Sequence, residues 1–119
     1  MADPELVVYE KRTCTTCRSL ATLLHERGIP FSRVDFHVEP LTEDELRGLV
    51  AKTGRPAQAL FREREPVHAE LGLGARTVGD DEAIALMAQH PALLQRPVVV
   101  RGDRAVLARP VERVLELLD

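Results

Sequence analysis

The sequence predicts an α/β fold with a four-stranded mixed sheet and a helical insert at about residues 42–92. Two observations support this fold class. An apolar run near the N-terminus leads through a loop into a stretch with helical spacing, and a valine run near the C-terminus is followed by a turn. The 119 residues suit one domain with its own hydrophobic core, so we expect a single domain over residues 1–119.

The N-terminal third predicts a strand, a helix and a second strand. Leu6–Tyr9 is apolar enough for a buried strand, and helical spacing begins after it at about Thr15. Gly28 suits the left-handed residue that ends a helix, with Pro30 just beyond it. Alternating apolar residues predict a second strand over Phe31–Val38. Two strands joined through a crossover helix should be parallel.

The middle of the chain is predicted to be helical. Thr42 and Glu45 form a capping box that begins one helix, and Gly54 ends it. Asp80 is expected to cap a further helix that runs to His90. Two short helical pieces are expected in the less regular region between them: Ala57–Phe61 and Val67–Leu71.

The C-terminal third returns to sheet. Val98–Val100 and Ala105–Leu107 predict two strands joined by the turn Arg101–Arg104. Pro110 suits the first position of a closing helix. The apolar residues of that helix follow a helical repeat: Val111, Val114, Leu115 and Leu118. A βαβ unit followed by a helical insert and a ββα unit is the thioredoxin-like arrangement.

Two cysteines in the segment Thr13–Arg18 form a candidate reactive site. A strand that ends in a loop and leads into a helix places Cys14 beside the first unpaired N–H groups, which favour a thiolate. Arg12 and Arg18 should act in the same direction. Cys17 lies one turn further along, and two thiols at this spacing can close a disulfide. Cys17 also falls on the apolar stripe of the helix, so an inert core cysteine remains an alternative.

Composition and charge exclude several classes of function. A net charge of −3 argues against binding to nucleic acid through bulk charge. No apolar run is long enough for a membrane span, and the start does not resemble a signal peptide, so we expect a cytoplasmic protein. A single pair of cysteines without a second pair does not suit a zinc site, and no metal is expected.

Motifs along nearly the whole chain resemble the arsenate reductase family of thioredoxin-like proteins, a superfamily that also includes Spx-type transcriptional regulators. The similarity lies in five segments that occur in the family's order: Val8-Tyr9-x4-Cys14-x2-Cys17-Arg18, the capping box after Pro40, Glu70–Leu73, His90-Pro91-x4-Arg96-Pro97 with the following valines, and Ala108-Arg109-Pro110. The Arg109-Pro110 ending favours the reductases over the regulators.

The resemblance implies a role for each matching residue. Cys14 would supply the thiolate that attacks arsenate, and Arg96, before a cis Pro97, would hold the oxyanion. Arg109 resembles the family's other anion-binding arginine. Guanidinium groups suit a tetrahedral oxyanion because they present paired donors to its oxygens. The family needs no bound cofactor, only an external thiol reductant. We also expect a monomer.

The chain departs from the family pattern at two positions in this proposed site. The resemblance implies an arginine where this chain has Gln58, a loss for which Arg62, Arg55 or Arg64 could compensate. Arg18 is a further candidate for oxyanion binding. Glu10 stands where the family has a histidine. A carboxylate there opposes a thiolate unless one of three neighbouring cations neutralises it: Lys11, Arg12 or Arg18.

Cys17 is an addition to the family pattern, since the glutaredoxin-coupled members have no cysteine there. Our hypothesis is a Cys14–Cys17 disulfide that a thioredoxin-type partner reduces. In the alternative, glutathione and glutaredoxin supply the electrons and Cys17 belongs to the core. Two other functions stay open: an Spx-like redox-sensing regulator with the same disulfide as its switch, and a fold relative without activity.

Overall fold

The computed structural model describes residues 5–118. The chain forms two compact units, one containing the chain up to Glu39 and again from Arg96, the other Pro40–Gln95. Strands and α-helices follow in the order β1 Leu6–Glu10, α1 Thr15–Glu26, β2 Phe31–Asp35, α2 Glu43–Thr53, α3 Pro66–Glu70, α4 Asp80–Gln89, β3 Val98–Arg101 and β4 Arg104–Leu107. Short 3₁₀ helices lie at Ala57–Leu60, Leu73–Ala75, Pro91–Leu93 and Val111–Leu117. The expectation of a single domain stays a prediction.

The four strands form one mixed sheet in the order β2-β1-β3-β4. β1 and β2 are parallel, with Val8 opposite Arg33 and Glu10 opposite Asp35. β3 is antiparallel to both β1 and β4. This arrangement confirms the predicted α/β, thioredoxin-like fold class, because the βαβ and ββα units meet at the central pair β1 and β3.

The core of the first unit lies between the sheet and α1. The buried residues of β1 alternate, so that Leu6, Val8 and Glu10 are buried while Val7 and Tyr9 are only partly buried. The helix buries a matching stripe, and together these elements form one apolar cluster that includes Leu6, Val8, Leu20, Leu24, Val99, Val106, Val114 and Leu117. Burial of this stripe is what anchors α1, and with it the loop before the helix.

The second strand ends earlier than the alternation predicts. β2 stops at Asp35, and the carbonyl of Asp35 accepts hydrogen bonds from the N–H groups of Val38 and Glu39. Its carboxylate accepts two more, from the N–H groups of Arg12 and His37. The prediction of a strand as far as Val38 is therefore wrong, and Val38 is 67% exposed. The turn stabilised by Asp35 ends the strand here, although the alternation of apolar residues continues to Val38.

The closing helix is a 3₁₀ helix over Val111–Leu117, with Pro110 at its N-cap. Its buried residues are Val114 and Leu117, three apart, as the three-residue turn of a 3₁₀ helix requires. The predicted 3.6-residue repeat is wrong here. Hydrogen bonds from the guanidinium groups of Arg101 and Arg104 reach carbonyls at the end of this segment, so the sheet holds the helix terminus.

The second unit contains the expected helices. Both hydrogen bonds of the capping box are present, since the side chains of Thr42 and Glu45 each accept from the backbone N–H of the other residue. Gly54 ends α2 at φ 67°. The prediction that Asp80 caps α4 is wrong, because Gly79 occupies the N-cap and Asp80 is the first helical residue. The carboxylate of Asp80 instead accepts a hydrogen bond from Ala57 N at 2.9 Å. Across the described residues, no helix is both long and apolar enough to cross a membrane.

Candidate active site

Cys14 lies at the N-cap of α1, the position that the sequence predicts. Its backbone is extended, at φ −76° and ψ 122°, and its sulfur accepts a hydrogen bond from Cys17 N at 3.4 Å. Two further backbone bonds fix the loop, from Cys14 N to Lys11 O at 2.9 Å and from Arg18 N to Cys14 O at 3.1 Å. The sulfur thus faces a helix N-terminus, where N–H dipoles favour negative charge.

The surroundings of Cys14 favour its thiolate. Burial opposes ionisation, but hydrogen bonds from the Cys17 thiol and backbone N–H, together with a hydrogen bond and positive charge from Arg96, lower the pKa of Cys14. The side chain is 9% exposed, so an attacking sulfur lies just below the surface. The sequence singled out Arg12 and Arg18 as the stabilising cations. In the structure both are exposed, and the cation that acts on the thiol is Arg96.

Arg96 acts on Cys14 from the far end of the chain, and the residue is 6% exposed. The Arg96–Pro97 peptide bond is cis, as the resemblance implied, and so is Arg109–Pro110. The two segments are joined: Ala108 N donates to Pro97 O at 2.9 Å, and Arg109 Nη1 donates to Arg96 O at 2.7 Å. Arg109 therefore supports the backbone of the residue that contacts the thiol.

Cys17 has the opposite electrostatic character. Burial, the hydrogen bond to Cys14 and the charges of Cys14 and Glu10 raise the pKa of Cys17 to about 12, and a hydrogen bond from the Lys11 backbone only partly opposes them. Its side chain is 1% exposed. At neutral pH the thiol keeps its proton and can donate it in a hydrogen bond to the Cys14 sulfur. The two thiols are free, without a disulfide.

The negative charge of Glu10 is paired with the positive charge of Arg33. Its carboxylate is 2% exposed and forms a two-point contact with Arg33, with Nε–Oε2 at 2.9 Å and Nη2–Oε1 at 3.2 Å. The predicted partners were Lys11, Arg12 and Arg18, and the structure shows Arg33 in their place. Sequence reasoning missed Arg33, although the parallel pairing of β1 and β2 brings it next to Glu10. Arg33 is opposite Val8 and reaches Glu10 diagonally, so only the register of the two strands identifies it.

Each of the remaining predicted residues is placed within its own unit. Arg18 is exposed on α1. Arg62 belongs to the second unit, where Nη1 donates to Gln95 Oε1 at 3.0 Å and Nε lies 3.9 Å from Glu65 Oε1. Gln58 lies in the same unit and joins two backbone segments, since Nε2 donates to Arg76 O and Oε1 accepts from Val78 N. The side-chain amide of Gln58 therefore links backbone segments within this unit.

A thioredoxin-like domain with two free thiols in the first turn of its leading helix is the framework of a thiol-dependent oxidoreductase. The chain belongs to the ArsC family, whose model matches residues 9–117. It is 32% identical over 116 residues to an arsenate reductase of Neisseria meningitidis serogroup A, covering 97% of this chain and 99% of that protein. An arsenate reductase of Escherichia coli K12 is 35% identical over 113 residues, 95% of this chain and 80% of that protein.

The fold agrees with solved structures of the same family. An arsenate reductase from Vibrio cholerae superposes with a TM-score of 0.88 at 33% identity, over 97% of this chain and 98% of that chain. These relatives confirm the predicted family and the predicted class, an oxidoreductase. The roles of individual residues and the identity of the electron donor stay predictions.

Proposed function

We propose that this protein reduces arsenate to arsenite, with Cys14 as the nucleophile. The observation that carries the proposal is a thiol at a helix N-cap whose pKa is lowered in contact with a buried arginine, Arg96. The family supports the substrate, because the curated relatives at 32–35% identity are arsenate reductases. Arsenate is a tetrahedral oxyanion, and its oxygens match the planar, paired donors of a guanidinium group.

In the first step the Cys14 thiolate attacks arsenic(V), the bond from arsenic to one hydroxyl group breaks, and that group takes a proton from solvent and leaves as water, which gives a thiol–arsenate adduct. Arg96 reduces the repulsion between the thiolate and the anion and binds the arsenate oxygens. Arg109 keeps Arg96 in place through the bond to its carbonyl oxygen. Arg18 is a candidate for a further contact with the anion.

In the second step Cys17 attacks the sulfur of Cys14. The bond between that sulfur and arsenic breaks, the electron pair passes to arsenic, and arsenite leaves while a Cys14–Cys17 disulfide forms. A thioredoxin-type partner would then reduce the disulfide. The hydrogen bond from Cys17 N to the Cys14 sulfur supports these roles, Cys14 as the nucleophile and Cys17 as the resolving thiol, because it keeps the two residues adjacent. We propose that the enzyme works as a cytoplasmic monomer and holds no cofactor.

Arsenate-dependent NADPH consumption tests the proposal, with the thioredoxin and glutaredoxin systems supplied separately. We expect turnover with thioredoxin that disappears in Cys14→Ser and in Cys17→Ser. Turnover that needs glutathione and glutaredoxin and persists in Cys17→Ser would keep the reductase and overturn the resolving role of Cys17. No turnover with either system would contradict arsenate reduction and favour the regulator with a Cys14–Cys17 switch.

A further inference from the structure

We propose that Glu10 accepts the proton of Cys17 when Cys17 attacks the Cys14 sulfur. The inference rests on the proposed resolving role of Cys17 and adds to it the group that makes this thiol reactive. Glu10 is the last residue of β1 and is buried, and Cys17 is a buried residue in the first turn of α1.

The fold places Glu10 and Cys17 on facing surfaces. Glu10 is buried on the same face of β1 as Leu6 and Val8. Cys17 is buried on the same face of α1 as Leu20 and Leu24, the residues that pack against Leu6 and Val8. A four-residue loop separates the end of the strand from the start of the helix, so the last residue of one lies near the first turn of the other. The charge of Glu10 acts on Cys17, and the N–H of the next residue, Lys11, bonds to the Cys17 sulfur.

The need for a proton acceptor follows from the reaction itself. In the reduced protein the Cys17 thiol donates a hydrogen bond to the Cys14 sulfur. Once Cys14 has bonded to arsenic, its sulfur is no longer a thiolate and cannot take that proton. Burial disfavours a free Cys17 thiolate, so the attack requires another base close by. The carboxylate that acts on this thiol is Glu10.

The contacts of Glu10 leave its carboxylate able to accept a proton. Each carboxylate oxygen accepts one bond from Arg33, and an ionised carboxylate oxygen can accept a second. Glu10 also lines a cavity of about 360 Å³, through which a proton can pass to solvent. The other charged or titratable groups around Glu10 come from β2, the loops after β1 and β2, and α1: Arg33, Asp35, Arg12, Glu39 and Cys17.

The proton and electron steps balance. The Cys17 sulfur loses its proton to Glu10 and forms a bond to the Cys14 sulfur. The bond from Cys14 to its other partner breaks, and the electron pair leaves with that partner. With arsenate bound, the two thiols become one disulfide while arsenic(V) becomes arsenic(III). The proton on Glu10 then passes to solvent.

An aromatic disulfide such as dithionitrobenzoate tests this step without arsenate, so its result is independent of the proposed substrate. The Cys14 thiolate displaces one coloured thiolate and forms a mixed disulfide, and Cys17 then displaces the second. The first release therefore reports Cys14 and the second reports Cys17. Cys17→Ser should show the first release alone, which assigns the two phases.

We expect Glu10→Gln to slow the second release by about 10–100-fold near neutral pH and to change the first by less than about threefold. Glu10→Asp should recover part of the rate. Glu26→Gln, an exposed carboxylate on the same helix as Cys17, is the matched control and should change neither phase. A second release that is unchanged in Glu10→Gln, or faster because a negative charge beside the thiol has gone, would overturn the proposal.

The pH profile of the unmodified protein gives an independent test. If Glu10 takes the proton, the attack needs no hydroxide, and the second release should be nearly independent of pH between about 6 and 9. A rate that instead rises about tenfold per pH unit would mean that hydroxide removes the proton, and Glu10 would have no part in it.

Discussion

The N-cap and the first turn of α1 hold two thiols of the same chemistry in opposite electrostatic states. Cys14 stands at the cap, faces N–H donors and Arg96, and has a lowered pKa. Cys17 stands three residues later on the buried stripe, faces Glu10 and Cys14, and has a pKa raised to about 12. One turn of helix is enough to separate a thiol with a lowered pKa from a thiol with a raised pKa.

The difference shows that the spacing of a CxxC motif does not decide which thiol is the nucleophile. The direction of the helix does, because the cap position points at unpaired N–H groups while the next turn points at the core. Each thiol also affects the other. Cys17 lowers the pKa of Cys14 by donating a hydrogen bond, and the same bond keeps the proton on Cys17.

The largest effect that we predict is the difference in alkylation rate between the two thiols. In Cys17→Ser the remaining Cys14 should react with iodoacetamide at neutral pH at least about a hundredfold faster than the remaining Cys17 in Cys14→Ser, since only the thiolate reacts. Mass spectrometry of the trapped protein measures both rates. Equal rates would show that the helix does not separate the two pKa values.

A smaller effect is expected from removing the cation beside the nucleophile. Arg96→Met should raise the pKa of Cys14 and slow its alkylation at neutral pH about tenfold, because a buried positive charge and a donor are lost together. Ultraviolet absorbance of the thiolate against pH measures the shift in the Cys17→Ser background. Arg27→Gln removes an exposed arginine from the end of the same helix and should leave the titration unchanged.

The smallest effect concerns stability at alkaline pH. Because the folded pKa of Cys17 is raised above its ordinary value of 9.0, its contribution to stability is fully present below pH 9 and is lost as the pH rises towards 12. Between about pH 8 and 9.5 the wild type should lose about 0.8 kcal/mol more than Cys17→Ser.

Urea unfolding at the two pH values measures this difference, provided that the slope of each transition is the same in both proteins. Equal losses in wild type and Cys17→Ser would mean that Cys17 titrates alike in the folded and unfolded chain. The hydroxyl group that Cys17→Ser introduces can still donate a hydrogen bond to the Cys14 sulfur, so the comparison largely cancels the opposite contribution of Cys14, whose lowered pKa stabilises the fold above its ordinary range.

The sequence alone was enough for the features that depend on neighbours along the chain. The CxxC segment at the start of a helix, the capping box of Thr42 and Glu45 and the parallel β1–β2 pair are all present as predicted. These features are set by short-range hydrogen bonds and by the repeat of apolar residues, and both can be counted from the sequence. The family resemblance rests on the same local segments.

The tertiary structure decided which charged groups meet. Arg96 acts on Cys14 from 82 positions away in the chain, and Arg33 pairs with Glu10 only because of the register of two parallel strands. The early end of β2 at Asp35 and the 3₁₀ form of the last helix were also decided there. Local patterns bias the backbone of a segment, but long-range contacts depend on how buried surfaces pack, and these contacts give the two thiols their different pKa values.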